Sequence, residues 1–136
     1  MACPYFYPTE PLSLGYWGKR SRLPLGDLFA GCCRADPPAE FRPEEDVLRD
    51  CCNLGYARRH CGRFPPGDGP DAARFAVSGD QDGIVRIYYA LERDHRPWAH
   101  GPLEYDRRRR ALVAPPSSDA LRRQAEAFVE SYLRRK

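Results

Sequence analysis

The stretch ARFAVSGDQDGIVRIYYAL, residues 73–91, decides the fold. Its two ends are rich in β-branched and aromatic residues, which favour extended strands. Between them, the segment DQDG at 80–83 has the acidic and glycine residues that are typical of a tight turn. The sequence therefore predicts an antiparallel β-hairpin. A calcium loop at GDQDG is not favoured, because the distal glutamate of an EF-hand is absent.

The chain after this hairpin is predicted to complete the sheet. LEYD at 103–106 and RALVA at 110–114 are candidates for a third and a fourth strand. Between the hairpin and LEYD, the segment ERDHRPWAHGP at 92–102 is expected to form a longer connection or a bent edge strand. The reason is that Pro97 cannot donate a hydrogen bond to a central ladder.

The last segment has the periodicity of an amphipathic helix. Ser118 or Asp119 is suited to cap its first turn. The apolar positions recur at helical spacing and form one stripe: Leu121, Ala125, Phe128, Val129, Tyr132 and Leu133. We expect this helix to close the β-meander on one side.

The first half of the chain is rich in proline and glycine and is expected to be rich in loops. Residues 3–24, RADPPAEFRP at 34–43 and GRFPPGDGPD at 62–71 are predicted to be irregular, including a loop at GYWGKR, 15–20. Two short helices are predicted. The first lies in LPLGDLFAGCC, 23–33, where apolar residues have helical spacing. The second begins at Pro43 and continues to about residue 54.

These elements predict an α+β fold. A loop-rich, cysteine-bearing N-terminal half with short helices (residues 1–66) precedes an antiparallel β-meander of three to four strands closed by a C-terminal helix (67–136). The length of 136 residues suits a single domain over 1–136.

Composition narrows the classes of function. The formal net charge is +3, which is mildly basic, so nucleic acid is not an expected partner. There is no apolar run long enough to span a membrane. The start, MACPYFYPTEPLSLGYWGKR, lacks the features of a secretory signal, so a cytoplasmic location is expected. Stable disulfides are then disfavoured, and cysteines point to a metal, a cluster or free thiols.

All six cysteines lie within residues 1–61 and form four groups along the sequence. The groups are Cys3, the pair Cys32 and Cys33, the pair Cys51 and Cys52, and Cys61. Four thiolates are what an iron–sulfur cluster or a Cys₄ zinc site needs. Adjacent residues seldom both ligate one small centre, because their side chains diverge. One cysteine from each group is therefore the simplest ligand set.

Helical phase suggests which member of each pair is the ligand. Cys51 shares a helical face with Val47 and Leu54 and is expected to pack in the core, which leaves Cys52 as the ligand. The same reasoning assigns Cys32 to the core and Cys33 to the site. The predicted ligands are thus Cys3, Cys33, Cys52 and Cys61, with Cys32, Cys51 and His60 as alternates.

The spacing favours an iron–sulfur cluster over zinc. Structural zinc sites usually contain a C-x₂₋₄-C knuckle, and this chain has none. A [4Fe–4S] cluster can accept one ligand from each of four separate segments. The basic neighbours Arg34, Arg58, Arg59 and Arg63 could balance its negative charge.

The expected function is that of a small iron–sulfur protein in electron transfer or redox sensing, with a protein redox or regulatory partner. The alternative is a zinc-stabilised interaction module that binds an acidic partner or nucleic acid. Ordinary buried thiols or disulfides are a third interpretation. The oligomeric state is open.

Two further segments could carry chemistry. In residues 92–101, Glu92 or Asp94 could orient His95 or His100 as a general base, but no nucleophile is placed beside them, so an enzyme is not favoured. RRRR at 107–110 could contact phosphate, although a solvated turn is the simpler interpretation.

Overall fold

The structure is a computed structural model that describes residues 1–12, 23–35, 41–58 and 60–135. The predicted loop at 15–20, the middle of the predicted loop at 34–43, and Arg59 lie outside the described residues.

The described residues form two antiparallel sheets and a long C-terminal helix. A two-stranded sheet pairs β1 with β2, and a four-stranded sheet has the order β3-β4-β5-β6. The strands are β1 (Phe6–Pro11), β2 (Phe29–Cys33), β3 (Ala72–Gln81), β4 (Ile84–Arg93), β5 (Arg96–Asp106) and β6 (Ala111–Leu112). The helices are α1 (Glu45–Val47), a π-helical turn (Leu48–Asn53) and α2 (Asp119–Arg135). The predicted α+β class with a β-meander and a closing helix is confirmed.

The β3–β4 hairpin turns where the sequence predicted. Gln81 pairs with Ile84 around a two-residue turn. Asp82 and Gly83 both have a positive φ, of 57° and 79°, which is the geometry of a type I′ turn. The twist of this turn matches that of the flanking strands, so the acidic residue and glycine set the register of the sheet.

Of the two alternatives predicted for the segment 92–102, the structure shows the edge strand and not the longer connection. Arg93 pairs with Arg96, so β4 and β5 are joined by a second two-residue turn. Asp94 and His95 adopt φ values of 53° and 62°, which Asp and His tolerate better than most residues. Pro97 is accommodated because β6 pairs only with Tyr105 and Asp106, which leaves this end of β5 at the edge.

Helix α2 covers one face of the four-stranded sheet. The Ser118 hydroxyl accepts a hydrogen bond from the Leu121 N–H and caps the first turn. The core between the helix and the sheet contains Val85, Ile87, Leu103, Tyr105, Leu112, Ala125 and Val129. Among the described residues, no helix is long and apolar enough to cross a membrane.

The predicted helix at 23–33 is wrong, because β2 occupies its second half. Gly31 explains the difference: a Cβ at this position would lie 2.2 Å from the Tyr7 carbonyl oxygen of β1. Strand pairing at this distance needs glycine and depends on residues far away in sequence, so local spacing could not reveal it. Strand β1 likewise lies in a region that was predicted to be irregular.

The predicted helix at 43–54 forms, but only its first turn is α-helical. From Leu48 to Asn53 the chain follows a π-helix, whose hydrogen bonds join residues i and i+5. Leu54 is extended, and Gly55 has a φ of 72° that ends the segment. The π-helical turn changes the direction of the two adjacent cysteines that it carries.

Candidate metal centre

Five of the six cysteines line one cavity in the N-terminal half. They are Cys3, Cys33, Cys51, Cys52 and Cys61. The remaining lining is apolar apart from Arg63, and it includes the rings of Tyr5, Phe6, Phe41 and Phe64. The space inside it that a water molecule can enter is only about 20 Å³, so these side chains are packed closely together. The four predicted ligands therefore border one apolar space, although they come from four separate segments.

The alternates lie in different places. Cys32 pairs with Tyr7 in the small sheet and is buried, but it does not line the cavity. Cys51 does line it, beside Cys52, and the two are equally buried. The prediction that Cys51 packs away from the site assumed α-helical phase, which the π-helical turn does not have. His60 lines another cavity.

The backbone around Cys3 is bonded to three distant parts of the chain. Ala2 forms a β-bridge with Ala73, which attaches the start of the chain to β3. The Cys3 N–H donates to the Cys52 carbonyl at 3.0 Å. From α2, the Gln124 Nε2 donates to the Cys3 carbonyl at 2.7 Å. These bonds fix the distance between two of the predicted ligands.

Asn53 fixes the π-helical turn against β2. Its Oδ1 accepts from the Phe29 N–H at 2.9 Å, and its Nδ2 donates to the carbonyls of Phe29 and Leu48 at 2.9 and 3.0 Å. Asn53 is almost completely buried and follows Cys52 directly. It therefore sets the orientation of the turn that carries Cys51 and Cys52.

The backbone at the other two predicted ligands is also fixed by hydrogen bonds. Cys33 ends β2 and donates its N–H to the Phe41 carbonyl at 2.6 Å. Cys61 donates to the Ala57 carbonyl at 2.7 Å, and its own carbonyl accepts from the Phe64 N–H at 3.1 Å. Both thiols are half-buried, so they border the more accessible side of the cavity.

The protein environment favours the neutral thiols in the absence of a metal. Burial raises the pKa of Cys3 from 9.0 to about 12, although a backbone hydrogen bond from Tyr5 opposes this shift. Burial also raises the pKa of Cys52 and Cys51, and the neighbouring thiols add to both shifts. A cation that held these sulfurs as thiolates would therefore have to displace protons.

Arginine side chains cover aromatic rings around the cavity. The Arg63 guanidinium lies 3.8 Å from the centre of the Phe41 ring, and that of Arg58 lies 4.6 Å from the centre of the Phe64 ring. Both rings line the cavity. The two guanidinium groups therefore place positive charge near the thiols, and their contacts help to hold the two rings in the cavity wall. Arg34 lies over Tyr7.

The thiols are not drawn together around a point in this structure. Within the described ranges, no three Cys, His, Asp or Glu side chains are close enough to hold one metal ion. What the arrangement provides is a set of separated sulfurs around an apolar space.

The other candidate residues do not form one site. His95 stacks on Tyr56 with ring centres 4.4 Å apart, whereas His100 hydrogen-bonds to Tyr88 on the exposed face of the sheet. Glu92 accepts from the Tyr56 hydroxyl at 2.5 Å, so it is not paired with either histidine. Residues 107–110 form a turn with exposed side chains.

Sequence reasoning missed Asn53 and Gln124. Both are buried amides whose hydrogen bonds reach the backbone of distant segments that carry cysteines. A usable signal existed for Gln124, because it is a polar residue next to the apolar stripe of α2.

Comparison with known protein families, with curated proteins and with solved structures finds no match to this chain.

Proposed function

We propose that this protein binds one [4Fe–4S] cluster through Cys3, Cys33, Cys52 and Cys61 and acts in electron transfer or redox sensing. The observation that supports the proposal is the shared cavity: thiols that are separated by up to 58 positions in sequence border one apolar space.

A cluster suits this lining better than a single zinc ion. Zinc draws four ligands to one centre at Zn–S distances of about 2.3 Å, usually with the help of a local knuckle. A cluster has several irons, and each cysteine binds its own iron. Ligands on four separate segments around a common space are compatible with that requirement. Either centre requires the thiols to reorient, and the half-buried Cys33 and Cys61 have the most freedom to do so.

The chain's own residues would set the properties of the centre. The aromatic and aliphatic lining would exclude water, and the Tyr5 N–H that bonds to Cys3 would lower the electron density on that sulfur. Arg63 would supply positive charge at the mouth. Both the hydrogen bond and the charge favour a reduced, more negative cluster and raise its potential. The bound cluster would supply the one-electron chemistry.

The deciding experiment is anaerobic purification with metal and sulfide analysis. We expect a brown protein with about four iron and four sulfide per chain. Serine variants of Cys3, Cys33, Cys52 and Cys61 should each lose most of the iron. The matched control is C32S, which removes a buried thiol outside the cavity and should retain the iron.

Two results would overturn the proposal. A colourless protein with one zinc per chain would favour the interaction module instead. Full iron content in all four ligand variants would mean that the ligand set is wrong. C51S measures whether the fifth thiol of the cavity takes part, and under the proposed set it retains the cluster.

A further inference from the structure

A second cavity lies beside the cysteine cavity, and titratable side chains line it throughout. One wall consists of Tyr56, Arg58 and His60. The opposite wall consists of Asp71, Arg93, Asp94 and His95. The space between them that water molecules can enter is about 200 Å³.

The segment from Tyr56 to Cys61 separates the two cavities. Ala57 and Cys61 line the cysteine cavity, whereas Tyr56, Arg58 and His60 line the second one. The second site is therefore built by residues that the proposed cluster does not use, and it does not depend on the cluster.

Asp71 holds two guanidinium groups in this cavity. Its carboxylate accepts from the Arg58 Nε and from the Asp94 N–H, and the Arg93 Nε lies 3.9 Å away. The side chain of Asp71 is only 4% exposed. Burial opposes its ionisation, but the hydrogen bonds and the two arginines hold its pKa below the usual value. One buried negative charge thus faces two positive ones.

Both guanidinium groups are fixed by further contacts. The Arg93 Nη1 donates to the carbonyls of Gly67 and Gly69 at 3.1 and 2.9 Å. Arg58 is held against the Phe64 ring. Arginines that are oriented in advance lose little freedom when they bind a planar or tetrahedral oxyanion.

The β4–β5 turn brings the remaining groups to the mouth. Asp94 and His95 have left-handed backbones, which are less favourable for these residues than for glycine, and the turn seats His95 on the Tyr56 ring. His60, on the other wall, is exposed. Asp94 is also exposed and lines the mouth, and the exposed Asp68 lies 4.0 Å from the Arg93 Nη2.

We propose that this cavity binds a small oxyanion, of the phosphate or carboxylate class, through Arg58 and Arg93, with His60 and His95 as further donors. Asp94 opposes the anion and sets its affinity. Arg58 and Arg93 bring two positive charges and Asp71 and Asp94 two negative ones, so the site has no net positive charge. Its attraction for an anion would come from the oriented guanidinium groups and the histidine N–H groups.

The test is a titration of the full chain with inorganic phosphate in which the backbone amide signals are monitored by NMR. The ionic strength is held constant, and a parallel titration with sodium chloride is the reference. We expect saturable shifts confined to the amides of residues 56–60, 67–71 and 93–95. Acetate provides the carboxylate arm, and comparison of its affinity with that of phosphate identifies the preferred class.

Three variants sharpen the test. R93Q should weaken phosphate binding roughly tenfold or more, because a charge-assisted hydrogen bond is lost. D94N should strengthen binding, because it removes the opposing charge. R86Q removes the same charge as R93Q from the ion pair with Glu104 on the open face of the sheet and should leave the affinity unchanged.

Arg93 also donates hydrogen bonds to the 67–69 loop, so R93Q could weaken binding by disturbing this loop. His60→Ala is a second variant at an exposed position that makes no such contact with the loop. It should weaken binding roughly threefold or more and leave the thermal midpoint in chloride unchanged. Non-saturable shifts, weaker binding in D94N, or equal losses in R86Q and R93Q would each overturn the proposal. The titration needs no iron, so the anion site and the cluster succeed or fail separately.

Discussion

At the scale of single residues, Asn53 links the small sheet to the cysteine-bearing turn. Asn53→Ala removes three hydrogen bonds and leaves backbone groups of Phe29 and Leu48 without them. We expect the free energy of unfolding to fall by about 3 kcal/mol, because buried polar groups without partners are costly. Denaturant unfolding measures this loss. Thr9→Ala removes an exposed hydrogen bond to Ala30 in the same sheet and should cost under about 1 kcal/mol, so an equal loss in both variants would contradict the role assigned to Asn53.

A second prediction at this scale concerns Arg63 and the redox potential of the cluster, and it rests on the proposed cluster. Its guanidinium covers the Phe41 ring at the mouth of the cysteine cavity. Arg63→Gln should lower the midpoint potential of the cluster, because positive charge favours the reduced state. Potentiometric titration followed by EPR measures the shift. Arg86→Gln is the matched control, and a shift of the same size in both variants would show that only net charge matters.

At the scale of elements, the β4–β5 turn contains two residues in an unfavourable backbone conformation. A type I′ turn favours Asn-Gly, whereas this chain has Asp94 and His95. The double variant Asp94→Asn, His95→Gly should raise the free energy of unfolding by about 1 kcal/mol, because glycine adopts the left-handed backbone without a penalty. Denaturant unfolding measures the gain.

The β3–β4 turn provides the comparison, since Asp82 and Gly83 already suit their conformation. Asp82→Asn should change stability by only a few tenths of a kcal/mol. If the double variant at 94 and 95 gained no stability, the two residues would not be strained, and their retention would not need a functional explanation.

At the scale of the whole molecule, the two halves differ in how far sequence predicts them. The β-meander and α2 follow from local patterns, because β-branched runs, an Asp-Gly turn and a helical stripe each act within a few residues. Strand β2 depends on the approach of Gly31 to Tyr7, and the π-helical turn depends on Asn53 bonding to Phe29. Such long-range contacts override local spacing. The sequence allowed us to expect that four separated cysteines border one cavity. It did not allow us to expect that Cys51 lines this cavity as well, because its direction depends on the π-helical turn.

Burial of the cysteine cavity also makes the stability of the whole metal-free chain depend on pH. The pKa of Cys3 is raised from 9.0 to about 12 in the folded protein, so the neutral thiol favours folding. Its contribution is complete below pH 9 and is lost as the pH rises towards 12. Urea unfolding of the reduced, metal-free protein should therefore show falling stability across this interval. Cys3→Ala removes one of the ionisable thiols and should make the fall less steep, while Cys52 and Cys51 still contribute because burial raises their pKa as well. An unchanged slope in that variant would assign the effect to other groups.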